Sequence, residues 1–247
     1  MYDVGILGGM GSKATATVFN LIVDNTLAKT DQEHLNIAVL NIADIPDRTD
    51  FLLGKCKSNP LLKIQEGIKQ LNFLNVNNVI IPCNTSHYFI EDISKNSNAK
   101  IINMVDSTLS YVKKVNGELA CVLSTIGTAK TGVYNKYEKE GLEIFYPDEC
   151  FASDIHEIIY KIKNGNTDLN EMAIKLKNIM DKIANQHEKP ITFILACTEL
   201  SIVNKEYFKG HTVVDALEIS ALLSILKSNK QIIKNKLNYD YKVIENL

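Results

Sequence analysis

Short unbroken apolar runs recur along the chain, separated by longer stretches whose apolar residues return every three or four positions. The runs read as strands buried on both faces, and the stretches as amphipathic helices laid over them. Asp3-Val4-Gly5-Ile6-Leu7 is the first strand. It leads through Gly8-Gly9-Met10-Gly11 into a helix predicted from about Ser12 to Ala28, with Ala14, Val18, Leu21 and Ile22 on one face. A second strand is expected over Leu35–Ile42. A helix follows over Leu61–Leu74, with Ile64, Ile68, Leu71 and Leu74 as its apolar stripe. Asn77-Asn78 reads as a turn into the strand Val79–Ile81. Ile90–Ile93 suggests a short helix, and Lys100–Ile102 another strand, leading to Val105-Asp106.

The pattern then restarts. Leu119–Leu123 is a strand, and Ser124-Thr125-Ile126-Gly127-Thr128 stands where the glycine turn stood. A helix is expected through Tyr134 to Glu140, a strand over Leu142–Phe145, and helices over 150–164 and 169–185, parted by Gly165-Asn166. Ile191–Leu195 is the next strand, and Val213-Val214-Asp215 opens a last helix. Gly8 pairs with Thr125, Cys83 with Cys197 and Val105-Asp106 with Val214-Asp215, at offsets of 117, 114 and 109 residues. So small a drift points to a duplicated α/β unit, mainly parallel sheets flanked by helices, with a cleft between the copies. Residues 1–103 with 214–247 are expected to form one domain and 104–213 the other, the last helix returning to the first unit. Residues 229–247 match nothing in the first half.

With 247 residues, 45% hydrophobic and 23% charged, the chain suits one large or two small core-forming domains. A net charge of −2 excludes a general attraction to nucleic acid or anionic lipid. No apolar segment approaches the roughly 20 residues of a membrane span. The start, Met1-Tyr2-Asp3, has no basic or long apolar leader, so a cytoplasmic location is expected. The five cysteines are odd in number and widely spaced, which speaks against a disulfide framework or a metal site. Cys121 lies inside an apolar run and reads as core; Cys56 and Cys150 lack a strand-end setting. Among 27 basic residues only Arg48 is arginine, in the loop Ile45-Pro46-Asp47-Arg48-Thr49-Asp50. Its planar fork suits a carboxylate as no lysine does, although a solvated loop charge is the plainer alternative.

One short grammar occurs twice. Val79-Ile80-Ile81-Pro82-Cys83-Asn84-Thr85-Ser86-His87 and Phe193-Ile194-Leu195-Ala196-Cys197-Thr198-Glu199 each deliver a cysteine where a strand leaves the sheet. Ligands of open α/β sheets sit at that end of the strands. A lone cysteine there is most simply a small buried hydrophobe. Two placed alike suggest two proton-transfer groups facing one carbon, a thiolate taking a proton from one side while a thiol gives one to the other. That chemistry needs no metal or cofactor, and none is expected. Both cysteines are expected at helix starts, where the helix terminus and the side chains of Asn84, Thr85, Ser124, Thr125, Thr128 and Thr198 could hold a carboxylate. The glycines at positions 5, 8, 9 and 11 do not make a G-x-G-x-x-G dinucleotide fingerprint, so a small acid fits better than a nucleotide. His87 could tune the Cys83 thiol or merely cap or pack.

Gly8-Gly9-Met10-Gly11 with Ala14-Thr15, Pro46-Asp47-Arg48-Thr49, Pro82-Cys83-Asn84-Thr85-Ser86-His87 and Cys197-Thr198-Glu199 resemble the aspartate/glutamate racemase family, over about residues 2–226, and aspartate racemases most. The resemblance implies cofactor-independent two-base racemisation of an acidic amino acid, two α/β domains related by pseudo-two-fold symmetry, and a homodimer. Cys83 and Cys197 would be the bases, and Arg48 would meet the side-chain carboxylate. The segment Tyr160-Lys161-Ile162-Lys163-Asn164-Gly165-Asn166 resembles one whose lysine does the same, which points to Lys163. Asn84, Thr85, Thr125 and Thr198 would hold the α-carboxylate, with Met10 and Glu199 completing the substrate site. Glutamate racemases carry Asp-Ser after the first strand and a histidine after the second Cys-Thr. Gly9-Met10 and Glu199 stand here instead, which argues against glutamate racemase proper. A maleate isomerase or arylmalonate decarboxylase relative, and a non-catalytic small-acid binder, are the alternatives.

Overall fold

The computed structural model describes residues 1–165, 167–236 and 238–247. In chain order its strands and α-helices are β1 (Tyr2–Gly8), α1 (Ser12–Asn25), β2 (Ile37–Asn41), α2 (Arg48–Leu52), α3 (Pro60–Phe73), β3 (Val76–Ile80), α4 (Ile90–Ser94), β4 (Lys100–Ile101) and α5 (Met104–Lys114). The repeat follows as β5 (Leu119–Leu123), α6 (Ile126–Lys130), β6 (Glu143–Phe145), α7 (Glu149–Asn164), α8 (Leu169–Ala184), β7 (Thr192–Leu195), β8 (Thr212–Asp215) and α9 (Ala216–Lys227), with α10 (Tyr241–Glu245) behind it. Two four-stranded sheets result, ordered β2-β1-β3-β4 and β6-β5-β7-β8, with every pairing parallel. The two orders match strand for strand, so the duplicated α/β unit expected from the offsets is the architecture found.

The apolar runs are strands because helices cover them on both faces. One core joins the two sheets: Val4, Ile6 and Ile80 from the first and Ala120, Val122 and Ile194 from the second pack on Val18, Ile22, Leu109 and Leu222 of α1, α5 and α9. Outside the first sheet lie Ile64, Ile68 and Leu71 of α3. Outside the second lie Ile155, Ile159 and Ile162 of α7 with Met172, Leu176 and Met180 of α8. The helices start where caps allow: Asn59 accepts from Leu61 N ahead of Pro60, and Asp168 accepts from Asn170 N and Glu171 N. β8 pairs with β7, after which α9 crosses over to pack on α1 and α5.

Three local expectations are corrected. Asn77-Asn78 lies within β3; the turn is at Asn75, in the left-handed region at φ 55, and Asn78 is buried with its amide donating to Asp3 O at 3.2 Å. The helix expected over 134–140 is absent. Instead α6 stops at Lys130, Gly132 turns left-handed at φ 59, and only a 3-10 turn, Asn135–Tyr137, follows. Left-handed Gly132 and Gly141 (φ 69) bracket the stretch, and the fully buried Tyr134 is drawn into the core to reach Asn84. Val213-Val214-Asp215 lies in the strand β8, and the last helix starts only at Ala216, capped by Asp215; behind it Thr26 bridges Ile232, Ile244 is buried, and the Tyr239 hydroxyl accepts from Asp215 N at 3.1 Å and donates to Glu218. Among the described residues no helix is long and apolar enough to cross a membrane.

Candidate active site

Strand ends and the turns beyond them supply the site. Cys83 stands three residues past β3 and Cys197 two past β7, both buried, with every cysteine of the chain a free thiol. They line one narrow cleft with about 20 Å³ of open space. From the first half come Met10 of the β1–α1 turn, Asp47, Arg48 and Thr49 at the start of α2, and Asn84 and Thr85 after Cys83. From the second come Thr125, Ile159 and Lys163 of α7, and Thr198 and Glu199. Every residue to which the family resemblance gives a role therefore lies on this cleft, whereas Ser124 and Thr128, also expected as carboxylate donors, do not line it. Asp47, Thr49 and Ile159 are additions. Lys163 is on α7; Asn166, in the same sequence segment, lies outside the described residues. Roomier hollows exist, such as that between α7 and α8, but solvated charges line it, among them Lys161, ion-paired with Glu157.

The cysteines do not open regular helices as expected. A 3-10 turn, Thr85–Phe89, follows Cys83, and another, Leu200–Ile202, follows Cys197. What surrounds the thiols is mainly side-chain chemistry. Arg48 is buried: its Nη2 donates to Met10 O at 2.8 Å and its Nη1 to Pro46 O at 3.0 Å and Ile45 O at 3.3 Å. It is no solvated loop charge. Burial works against its cationic form, yet Cys83, Asp47 and Glu199 nearby raise its pKa further. Its Nε has no partner. The same is true of Asn84 Nδ2, while Asn84 Oδ1 accepts from the fully buried Tyr134 hydroxyl at 2.7 Å. Two buried donors thus stand unpaired on one cleft, and such groups are costly unless something fills them.

Lys163 is paired already. Its Nζ lies 3.0 Å from Asp47 Oδ2, which also accepts from the Tyr160 hydroxyl at 3.3 Å. Burial alone would raise the Asp47 carboxyl, but Lys163, the Asp50 amide and Arg48 bring it down to about 2. The threonine hydroxyls form a chain: Thr85 to Thr128 at 2.8 Å and to Thr125 at 3.2 Å, with Thr49 donating to Thr125 at 3.3 Å. Ser124 turns its hydroxyl to Thr125 O. The Thr198 hydroxyl donates to Pro82 O at 3.3 Å, linking the two cysteine loops. The Cys197 thiol donates to Glu199 Oε2 at 3.0 Å. Burial pushes the Cys197 thiol well above its ordinary range, and the Glu199 carboxylate pushes it further.

His87 does not reach the Cys83 thiol. Fully buried, its Nδ1 bonds Cys83 O at 2.9 Å and its Nε2 accepts from Met104 N at 3.2 Å. Burial lowers it to about 4, so it is a neutral bridge that fixes the Cys83 backbone. Gly9 and Gly11 permit close approaches, the first within its own sheet and the second across the cleft. Gly9 sits at φ 95, where a side chain would strike the Ile42 backbone; at Gly11 a Cβ would lie 2.7 Å from Glu199 Oε1. Among the described residues no group of three or more His, Cys, Asp or Glu could hold a metal ion.

The family model described as Asp/Glu/Hydantoin racemase matches residues 7–223, nearly the whole two-sheet body. The chain belongs to that racemase family. The Picrophilus torridus aspartate racemase structure is similar at a TM-score of 0.79 and 26% identity, over 98% of both chains. An aspartate racemase homologue from Pyrococcus horikoshii aligns at 0.73 and 19% identity, over 93% of this chain and 100% of that one; at that identity it speaks for the fold. The broad specificity amino-acid racemase RacX of Bacillus subtilis is 26% identical over 207 residues, 81% of this chain and 86% of RacX. The racemase family's two-domain α/β fold is thus shared along nearly the full length.

Proposed function

We propose that the chain interconverts L- and D-aspartate by passing the α-proton to one of Cys83 and Cys197 and taking a proton from the other, with no cofactor. The observation that carries the reading is the pairing of two buried free thiols, delivered by equivalent strand ends, with two unpartnered buried donors on the same cleft. One thiolate removes the proton from Cα, and the other thiol protonates the opposite face. Asn84 Nδ2 and the threonine hydroxyls receive the α-carboxylate and stabilise the charge that develops on it. Arg48 offers its free Nε to the side-chain carboxylate, its other nitrogens being tied to backbone carbonyls that hold it in place.

The pairing of Lys163 with Asp47 favours a second reading within the same chemistry, a broader substrate range. Arg48 and Lys163 are matched by Asp47 and Glu199 on the cleft, so an uncharged side chain meets no uncompensated cation there. Incubating L-aspartate, L-glutamate and a set of neutral L-amino acids with the protein, without added cofactor, and resolving the enantiomers chromatographically decides between them. Aspartate giving D-product fastest supports the first reading, and neutral amino acids doing so the second. No inversion of any would overturn the racemase assignment. The proposal includes a homodimer, which sedimentation equilibrium reads directly.

A further inference from the structure

The two halves match in topology, yet the two thiols do not match in their neighbours. Arg48, a buried cation, lies beside Cys83. Beside Cys197 is a buried carboxylate: Glu199 is 4% exposed and its Oε2 accepts the Cys197 S–H at 3.0 Å and the Thr198 O–H at 3.4 Å. The other oxygen lies against Gly11, the residue that opens α1, where only a missing side chain leaves it room and where the helix dipole favours negative charge. The charged and titratable groups facing this pair are Arg48 from α2, Cys83 after β3, Lys163 from α7 and the Tyr134 hydroxyl after α6. None of them is hydrogen-bonded to Glu199 among the described residues.

Resting on the racemase reading above, we infer that Glu199 is a third catalytic residue, one that holds Cys197 as a thiol before substrate binds, so that Cys197 enters as acid and Cys83 as base. The Cys83 thiolate takes the α-proton, breaking C–H and forming S–H. The electron pair left on Cα takes the Cys197 proton from the other face, breaking S–H and forming C–H. Cys197 is then a thiolate next to the Glu199 carboxylate, two like charges in a buried place. Once product leaves, a proton lost from Cys83 and one gained by Cys197 restore the starting form. The resting enzyme is therefore poised for one of its two proton arrangements, and Glu199 is what sets the bias.

The test reads Cys197 directly and needs no turnover. In the full chain carrying Cys83→Ser, with and without Glu199→Gln, iodoacetamide labelling is followed across pH at the Cys197 peptide by mass spectrometry, with exposed Cys150 as internal reference. With the carboxylate gone, the rise in Cys197 labelling is expected at least about one pH unit lower, a roughly tenfold faster rate near neutral pH, while Cys150 does not move. Coincident Cys197 profiles would overturn the inference. Should Glu199→Gln fold poorly by circular dichroism, Glu199→Ala is read the same way, with the same expected shift and the same refuting result. In otherwise native protein, Glu199→Gln should also move the alkaline limb of the racemisation profile to lower pH, and an unmoved limb counts against Glu199. If no amino acid is racemised, the labelling shift still stands or falls alone, so failure of the racemase reading and failure of this one are distinguishable.

Discussion

Asp47→Asn isolates a single charge that bridges the two halves. Asp47 caps α2, accepting from Asp50 N at 3.0 Å, and its other oxygen takes Lys163 Nζ and the Tyr160 hydroxyl of α7. Asparagine keeps the capping oxygen, so the difference reads the ion pair. The fall of the carboxyl from 3.8 to about 2 corresponds to at most about 2 kcal/mol. Side-chain exposures of 26% and 27% for Asp47 and Lys163 allow some solvent screening, so about 1–2 kcal/mol is expected. The folded-state value lies below the unfolded one, so this stability is complete above about pH 4 and fades as pH falls toward about 2. Urea unfolding of both proteins from neutral to acid pH should show the variant weaker by that amount at neutral pH, with the gap narrowing below about pH 4. Equal stability at neutral pH, or a gap constant into acid, would refute the reasoning.

Further outcomes are expected elsewhere on the cleft. Tyr134→Phe leaves Asn84 Oδ1 without its buried donor, costing about 1 kcal/mol in thermal unfolding and lowering racemisation about tenfold if Asn84 holds the α-carboxylate. Arg48→Lys surrenders most of three carbonyl contacts; a loss of about 2–4 kcal/mol by urea titration and a raised KM for aspartate are expected, and an unchanged KM would remove Arg48 from substrate recognition. His87 stays neutral when folded, its pKa lowered from 6.5 to about 4. The protein should therefore lose on the order of 3 kcal/mol as pH falls from about 6.5 to about 4. His87→Gln should flatten that part of the curve; a slope that persists would mean other groups cause it.

The elements most legible in the sequence were those whose cause is local. Most strands came from an unbroken apolar run, although Val213-Val214-Asp215 pointed to a helix start and not to β8, and Gly165 marked a helix end through backbone chemistry. Both cysteine loops stood out because strand ends in parallel sheets gather at one edge, and Arg48 because it is the only arginine in the chain. Residues joined only by the tertiary fold were hidden. Asp47 meets Lys163 across 116 positions and Tyr134 meets Asn84 across 50, and no spacing announces either. The mistaken helix over 134–140 has the same origin, because Tyr134 is drawn inward to a tertiary partner, Asn84, that no local pattern announces. Ile159 looked like one more apolar helix residue; only the docking of α7 puts it on the cleft. The tail after Lys227 became interpretable once Tyr239 and Ile244 were seen closing the core.

Two thiols acting from opposite sides of one carbon leave a signature in deuterated water. L-aspartate should yield D-aspartate carrying one α-deuterium from the first turnovers, while the L-aspartate still present stays unlabelled. Cys83→Ser and Cys197→Ser should each slow the inversion by about a hundredfold or more. Unreacted L-aspartate labelled as fast as product forms would contradict the two-base account, as would full inversion with either cysteine replaced.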